Sequence, residues 1–85
     1  MAKYSIEIKR SAAREIKKLK KEDLKTVLNT IDKLANNPRP HGAIKLTGKD
    51  IYRIRAGNYR ILYEIFDNLV LITIVKIGHR KAVYR

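Results

Sequence analysis

The sequence lacks cysteine altogether and is poor in acidic residues, with eight Asp and Glu in 85 positions. The absence of thiols excludes both a disulfide framework and a thiolate metal site. The acids are scattered, without a pair suited to Mg²⁺ or the His/Asp spacing of metal ligands. A glycine-rich phosphate loop is also missing. These absences predict a protein that works without a metal or any other cofactor.

Long apolar runs are absent as well. No stretch reaches the roughly 20 apolar residues of a membrane span, and the first residues lack the apolar core of a secretory signal. We therefore expect a cytoplasmic protein with no membrane partner. A chain of 85 residues is expected to form one domain, over residues 1–85, with a small core.

Positive charge is what the sequence has in excess. Twenty Lys and Arg give a net charge of +12 and a pI near 10.2. Such a balance indicates a polyanionic partner. Nucleic acid is favoured over a membrane surface, because a membrane anchor needs a helix with a free apolar face and the one suitable helix is required for the core.

The first half of the chain predicts a strand and two helices. Residues 4–9 alternate apolar and polar, which places Tyr4, Ile6 and Ile8 toward the core. A short basic helix follows over residues 12–20, with Ser11 as its N-cap. A second helix is predicted over residues 22–35, where apolar residues recur every three or four positions. The two helices form a hairpin.

The second half predicts a loop and a three-stranded meander. The loop reaches residue 49 and carries Ile44 and Leu46 toward the core. The strands are expected over residues 50–55, 59–66 and 69–77, with a two-residue turn at positions 67–68. The fold class is therefore α+β, in the order β-α-α-β-β-β, with both helices on one face of a mostly antiparallel sheet.

Three arginines stand out in the meander. Arg53 and Arg55 lie two apart in one strand and thus on one face, and Arg60 follows the intervening turn. Each alone is typical of a solvated sheet face. Three together repel each other unless an anion lies among them, and the planar guanidinium binds phosphate oxygens in bidentate fashion. We interpret them as a phosphate site.

The end of the chain adds further candidates. His79 follows the strand that pairs with residues 59–66, so its imidazole is a candidate general base beside the arginines. Arg80 and Lys81 would extend the phosphate-binding surface. Tyr84, in a basic site, could stack on a base, although a terminal aromatic is more often only packed.

The segments 52–65 and 75–85 resemble the RelE branch of the RelE/ParE toxin superfamily, and the likeness covers essentially the whole chain. The resemblance implies a toxin of a type II toxin-antitoxin system. It would be a metal-independent endoribonuclease that enters the ribosomal A site, cleaves mRNA there and inhibits translation. An acidic antitoxin would hold it inactive, in a possible hetero-oligomer.

The resemblance also implies roles for individual residues. Arg53 and Arg55 fall where the family has two basic active-site residues, commonly lysines. Arg60 matches the arginine on the scissile phosphate, Arg80 the arginine that assists the leaving group, and Tyr84 the tyrosine that orients the substrate. Because arginine is a poor general base, Arg55 is expected to stabilise charge and His79 to accept the proton.

Two other functions fit the same sequence. One is a ParE-like gyrase poison, for which the sheet arginines would be dispensable. The other is a catalytically weak homologue that only binds an antitoxin. New 5′ ends inside codons of a translated mRNA would distinguish the endoribonuclease from both.

Overall fold

The structure is a computed structural model that describes residues 3–48 and 50–79. Its elements, in chain order, are β1 (Ser5–Ile8), α1 (Arg10–Lys17), α2 (Lys21–Asn36), β2 (Ile44–Lys45), β3 (Ile51–Ala56), β4 (Tyr59–Phe66), a 3₁₀ turn (Asp67–Leu69) and β5 (Leu71–His79). The five strands form one sheet in the order β1-β5-β4-β3-β2. Only β1 and β5 run parallel. The predicted α+β class is confirmed. No helix in the described ranges is long and apolar enough to cross a membrane.

The two helices form the predicted hairpin, but their bounds differ from the prediction. Helix α1 begins at Arg10, with Lys9 as an extended N-cap residue that provides no side-chain cap. Ser11 therefore lies inside the first turn, and its prediction as the N-cap is wrong. Helix α2 begins at Lys21 with Glu22 and Asp23 in its first turn, where the helix dipole favours carboxylates.

The core lies between the helices and one face of the sheet. Its helical side includes Val27, Ile31 and Leu34, spaced as an amphipathic helix requires. Its sheet side is contributed mainly by alternate positions of the long strands. These are Ala56, Ile61, Tyr63, Ile72, Ile74 and Ile77. No helix of the described residues covers the other face of the sheet, which is called the uncovered face below.

Three predictions about the strands need correction. Residues 44–45 are not a loop but a short edge strand, and Ile44 is 52% exposed rather than directed into the core. Ile8, at the end of β1, is also exposed, at 40%. The connection between β4 and β5 is not a two-residue turn. It is a 3₁₀ turn that ends at Val70 in the left-handed conformation, with φ of 50°.

A polar cluster joins the segment after α2 to the start of β1, to β3 and to the turn after β4. Arg39 donates from both terminal nitrogens to Asp67, at 2.8 and 3.3 Å, and its Nε donates to the Tyr52 hydroxyl at 3.2 Å. Tyr4 also donates to Asp67, at 2.7 Å. These hydrogen bonds lower the pKa of the Asp67 carboxyl, that from Arg39 foremost. The pair therefore stabilises the fold above the ordinary pKa range of Asp and less as the carboxyl is protonated.

Tyr63 ties this segment to the core. Its ring is fully buried and stacks on Tyr52, with centroids 5.8 Å apart, and its hydroxyl donates to the carbonyl oxygen of Pro38 at 2.7 Å. Burial, which disfavours the phenolate, raises the pKa of Tyr63 to about 12.

This shift gives a pH-dependent test of the core. In the folded protein the pKa of Tyr63 is about 12, above its ordinary value of 10. The stability that depends on the neutral phenol is therefore fully present below pH 10 and is lost as the pH rises toward 12, because the unfolded chain ionises first. The loss should be on the order of 2–3 kcal/mol, at about 1.36 kcal/mol per pKa unit. Tyr63→Phe should be about 1–2 kcal/mol less stable at pH 7, because Pro38 loses its donor. The deficit should close or reverse by pH 12.

Denaturant unfolding of both proteins from pH 7 to pH 12 measures this difference. Neutralisation of the many lysines affects both proteins alike and cancels. A deficit that stays constant across this range would contradict the role assigned to the Tyr63 phenol.

Candidate phosphate-binding site

The structure brings Arg53, Arg55 and Arg60 together on the uncovered face of the sheet. In the antiparallel pairing of β3 with β4, Arg55 lies directly opposite Arg60, and Arg53 lies opposite Leu62. The alternate residues Ile54 and Ile61 point to the helices and pack in the core. Side chains on a strand alternate between faces, so the core positions fix the arginines on the other side.

A shallow groove runs between these side chains. Its volume is about 290 Å³, and it is lined by the three arginines together with Gly42 and Ile44. Arg55 is exposed, while Arg53 and Arg60 are half-buried. Each of the three side chains therefore keeps part of its surface accessible to a ligand in the groove.

The three arginines carry positive charge that the described residues do not compensate. Ion pairs in this part of the chain join Lys3 to Asp32, Lys18 to Glu15, Arg39 to Asp67 and Lys45 to Asp50. None of them involves Arg53, Arg55 or Arg60. Arg39, by contrast, is engaged in bidentate fashion by Asp67. A cross-strand pair of like charges such as Arg55 and Arg60 is destabilising by itself, and an anion between them removes that cost.

A β-bulge in β5 determines what lies beside the arginines. Leu62 pairs with Lys76 and Tyr63 with Ile74, so Val75 is the extra residue. The insertion shifts the alternation of the strand by one position. As a result Thr73 and Lys76, three residues apart, share the uncovered face. Ile77 returns to the core, where it is 1% exposed.

Lys76 is a cation of this face that the sequence analysis missed. It lies opposite Leu62, which in turn lies opposite Arg53. Leu62 is only 3% exposed although the helices are on the other side of the sheet. The alkyl stems of Arg53 and Lys76 flank it and can cover its apolar surface. Plain alternation from the start of β5 would have placed Lys76 in the core, and no residue type in the sequence reveals the bulge.

His79 is not beside the arginines, and the predicted neighbourhood is wrong. Arg60 pairs with Gly78, whereas His79 pairs with Tyr59 on the helix side of the sheet. The two rings meet edge to face, with centroids 5.6 Å apart. His79 also lines a separate groove of about 770 Å³ between α1 and the edge of β5. The bulge at Val75 is the physical reason, since it reverses the faces of every later residue in the strand.

The remaining predicted site residues, Arg80, Lys81 and Tyr84, lie outside the described residues. Within the described ranges no group of three or more His, Cys, Asp or Glu side chains is placed to hold a metal ion. The site that can be described thus consists of cations and apolar groups: Arg53, Arg55, Arg60, Lys76, Ile44 and Leu62. Such a set can bind phosphate and stabilise negative charge that develops on it.

The fold has counterparts among known proteins. The toxin of the RelBE2 toxin-antitoxin complex from Mycobacterium tuberculosis is a structural match with a TM-score of 0.83 and 26% identity, covering 94% of each chain. The archaeal RelE–RelB complex from Pyrococcus horikoshii matches with a TM-score of 0.80 and 26% identity, over 95% of this chain and 99% of that one. Both matches extend over nearly the whole fold.

The sequence comparisons place the chain in a family. A protein of Methanocaldococcus jannaschii, provisionally named toxin RelE1, is 31% identical over 87 residues, covering 98% of this chain and 97% of its own. The model for the ParE toxin of type II toxin-antitoxin systems matches residues 6–84. The chain therefore belongs to this toxin family, as a member of the RelE branch of the RelE/ParE superfamily, and the predicted resemblance is confirmed.

The geometry of the arginines predicts a salt-dependent affinity for single-stranded nucleic acid. Arg60→Gln should weaken binding of a labelled single-stranded oligodeoxynucleotide of about ten nucleotides. It should also reduce the slope of log K against log salt by about 0.7, because one phosphate contact is lost. Fluorescence anisotropy over a salt series measures both quantities.

Lys25→Gln is the matched control, since Lys25 is an exposed cation on α2, on the other side of the molecule. It removes the same charge and should change the affinity much less. Equal losses in the two variants would mean that only the net charge matters and that the sheet face is not a site.

Proposed function

We propose that the protein is the toxin of a type II toxin-antitoxin pair that cleaves mRNA on the ribosome, in the cytoplasm, and so inhibits translation. The single observation that carries the proposal is the group of three arginines on the uncovered face without carboxylate partners among the described residues. Membership of the RelE branch supports the reaction class. The chemistry needs neither metal nor cofactor.

In the proposed reaction, the ribose 2′-hydroxyl attacks its own 3′-phosphate. A 2′,3′-cyclic phosphate forms, and the bond to the 5′-oxygen of the next nucleotide breaks, which leaves a 5′-hydroxyl. Arg55 and Arg60 face each other across the strand pair, so both can donate to the same phosphate group. Arginine keeps its charge throughout, and its role is to stabilise the negative charge that grows on phosphorus-bound oxygens in the transition state.

The proposal gives the arginines distinct expected effects. Arg55→Ala and Arg60→Ala should each lower the single-turnover rate of mRNA cleavage about 10²–10³-fold, because each removes one cation from the transition state. Arg80→Ala should have a comparable effect if Arg80 assists the leaving group as in relatives of this branch. Primer extension on mRNA from a translation extract measures the new 5′ ends. Lys25→Ala serves as the control, and full activity in all three arginine variants would refute the endoribonuclease proposal.

His79 is tested separately, because its position argues against the role that the sequence suggested. With the imidazole on the helix side, it is not placed to take the proton of a hydroxyl bound at Arg55 and Arg60. His79→Ala should therefore retain cleavage within a few-fold of the wild-type rate. A loss as large as that of Arg60→Ala would restore His79 to the reaction.

We also propose an acidic antitoxin as the partner that keeps the toxin off RNA. The matched structures from M. tuberculosis and P. horikoshii are the RelBE2 toxin-antitoxin complex and a RelE–RelB complex. A net charge of +12 attracts an acidic chain over a long range. One candidate surface for it is the edge of β5, since in the described part of the chain β1 pairs only with Leu71–Ile74 and the groove beside α1 begins at Val75. An extended segment could add there as a further strand.

Electrostatic attraction predicts how the pair associates. The association rate should be high at 50 mM salt and fall steeply toward 500 mM, because screening shortens from more than 10 Å to less than 8 Å over this range. Stopped-flow mixing with the cognate antitoxin measures it. A rate that does not respond to salt, or a basic cognate partner, would contradict this account of inhibition.

Gyrase poisoning is the second candidate, favoured by the match to the ParE toxin model over residues 6–84. A gyrase poison would accumulate cleaved DNA in a gyrase reaction and produce no new 5′ ends in mRNA. Arg55→Ala and Arg60→Ala would then leave toxicity intact. The two assays, run on the same preparation, separate the two functions.

A further inference from the structure

Ile44 is an apolar side chain in an unexpected place. It is 52% exposed and lies in the edge strand β2, directly opposite Arg53. Residues that face each other across a strand pair lie on the same side of the sheet, with Cβ atoms about 4.5–5.5 Å apart. Ile44 is therefore on the face that carries the arginines, and not on the face that packs against the helices.

The pair of Ile44 and Arg53 is part of a row of paired residues that crosses four strands. Ile44 lies opposite Arg53, Arg53 opposite Leu62, and Leu62 opposite Lys76. Apolar and cationic side chains thus alternate across the sheet. Leu62, in the middle, is 3% exposed, but Ile44, at the edge, keeps half of its surface open.

Ile44 also belongs to the groove that holds the arginines. The groove of about 290 Å³ is lined by Ile44, Gly42, Arg53, Arg55 and Arg60. Gly42 has a φ of 98° and open space where a Cβ would stand, so the turn before β2 reaches the groove without covering it. The other exposed large apolar side chains do not line this groove. They are Ile8, Leu28, Phe66 and Leu69.

We propose that Ile44 is a base-contacting residue that packs against the nucleobase of the nucleotide whose phosphate lies on Arg53, Arg55 and Arg60. The inference rests on the proposed function. Base and phosphate are joined through one ribose, so a base must come to lie near any phosphate held in this groove. The arginines can bind the phosphate. The face of the base is apolar, and covering it with an apolar side chain removes apolar surface from water, which favours binding. An unpaired nucleotide offers that face, whereas a base stacked within a duplex does not.

The position also predicts what kind of selectivity Ile44 provides. An aliphatic side chain has no hydrogen-bond donor or acceptor, so it recognises that a base is present but does not read its edge. Removal of Ile44 should therefore weaken binding of nucleotides that carry bases and leave binding of the bare backbone unchanged.

Two probes separate base contact from charge. Both are labelled single-stranded oligodeoxynucleotides with the same number of phosphates, which cannot be cleaved because they lack the attacking hydroxyl. One carries all its bases and the other is abasic throughout. Ile44→Ala should weaken binding of the first probe about three- to tenfold, the scale of an apolar contact of one side chain, and change binding of the second less than about twofold.

Leu28→Ala is the matched control, because Leu28 is an aliphatic side chain of similar exposure, 44%, on helix α2. It should change the affinity for neither probe. Ile44→Tyr should strengthen binding of the base-carrying probe only, since an aromatic ring stacks on a base more strongly than an aliphatic side chain.

The outcomes distinguish this inference from the function on which it rests. If Arg60→Gln weakens binding of both probes while Ile44→Ala changes neither, the phosphate site stands and the base contact is refuted. If Ile44→Ala weakens both probes equally, Ile44 acts through the shape of the groove and the inference is again refuted. If Arg60→Gln changes neither probe, the phosphate site itself, and with it the proposed function, falls.

Discussion

Strand β4 is hydrogen-bonded to a neighbour along each of its edges, to β3 on one side and β5 on the other. Its central residues Ile61, Leu62 and Tyr63 are all buried, although successive side chains point to opposite faces. The strand therefore needs cover on both faces, but the described helices lie on only one. On the other face Arg53 and Lys76 flank Leu62 in register, and their long stems can supply part of that cover. The proposed phosphate site and the burial of Leu62 are thus two consequences of one constraint.

This arrangement also accounts for the arginine chemistry. A lysine or arginine stem can lie on an apolar neighbour while its charged end stays in water. With Arg53 and Lys76 on either side of Leu62, apolar packing of their stems can hold these cations, and no carboxylate of the described residues pairs with them. A carboxylate partner would have fixed the guanidinium equally well, but it would also have neutralised it, as Asp67 does for Arg39. Packing keeps the charge available to a ligand.

Much of this could be predicted from the sequence, where a periodic pattern ran over many residues. The bounds of β4 matched the prediction, and α2 differed by one residue at each end, because apolar spacing over eight or more positions is a strong signal. The face of Arg53 and Arg55 followed from period two alone. The short strand at Ile44 could not be predicted, since two residues are too few to show a period. Ile44 was therefore treated as a loop residue, and because it is apolar it was assigned to the core. The start of α1 could not be predicted either, because no side-chain cap marks it.

The position of His79 could not be predicted for a different reason. Its residue type and its distance along the chain from the arginines were both suitable, but the face on which it lies depends on the bulge at Val75. A bulge is a matter of hydrogen-bond register between two strands, and a single sequence of β-branched and apolar residues fits the bulged and the regular strand equally well.

The bulge also affects how this chain may be compared with others. In an alignment without gaps, residues after Val75 are matched by their order, but a relative of equal length whose strand continues without the bulge presents them on opposite faces. A histidine in the column of His79 would then lie among the arginines in one protein and against the helix side in the other. Gain or loss of the bulge, with the number of residues in β5 unchanged, is therefore enough to exchange the side chains of the two faces without altering one residue of the motif. Between strands of equal length, functional roles are transferable past this point only where both chains have the bulge.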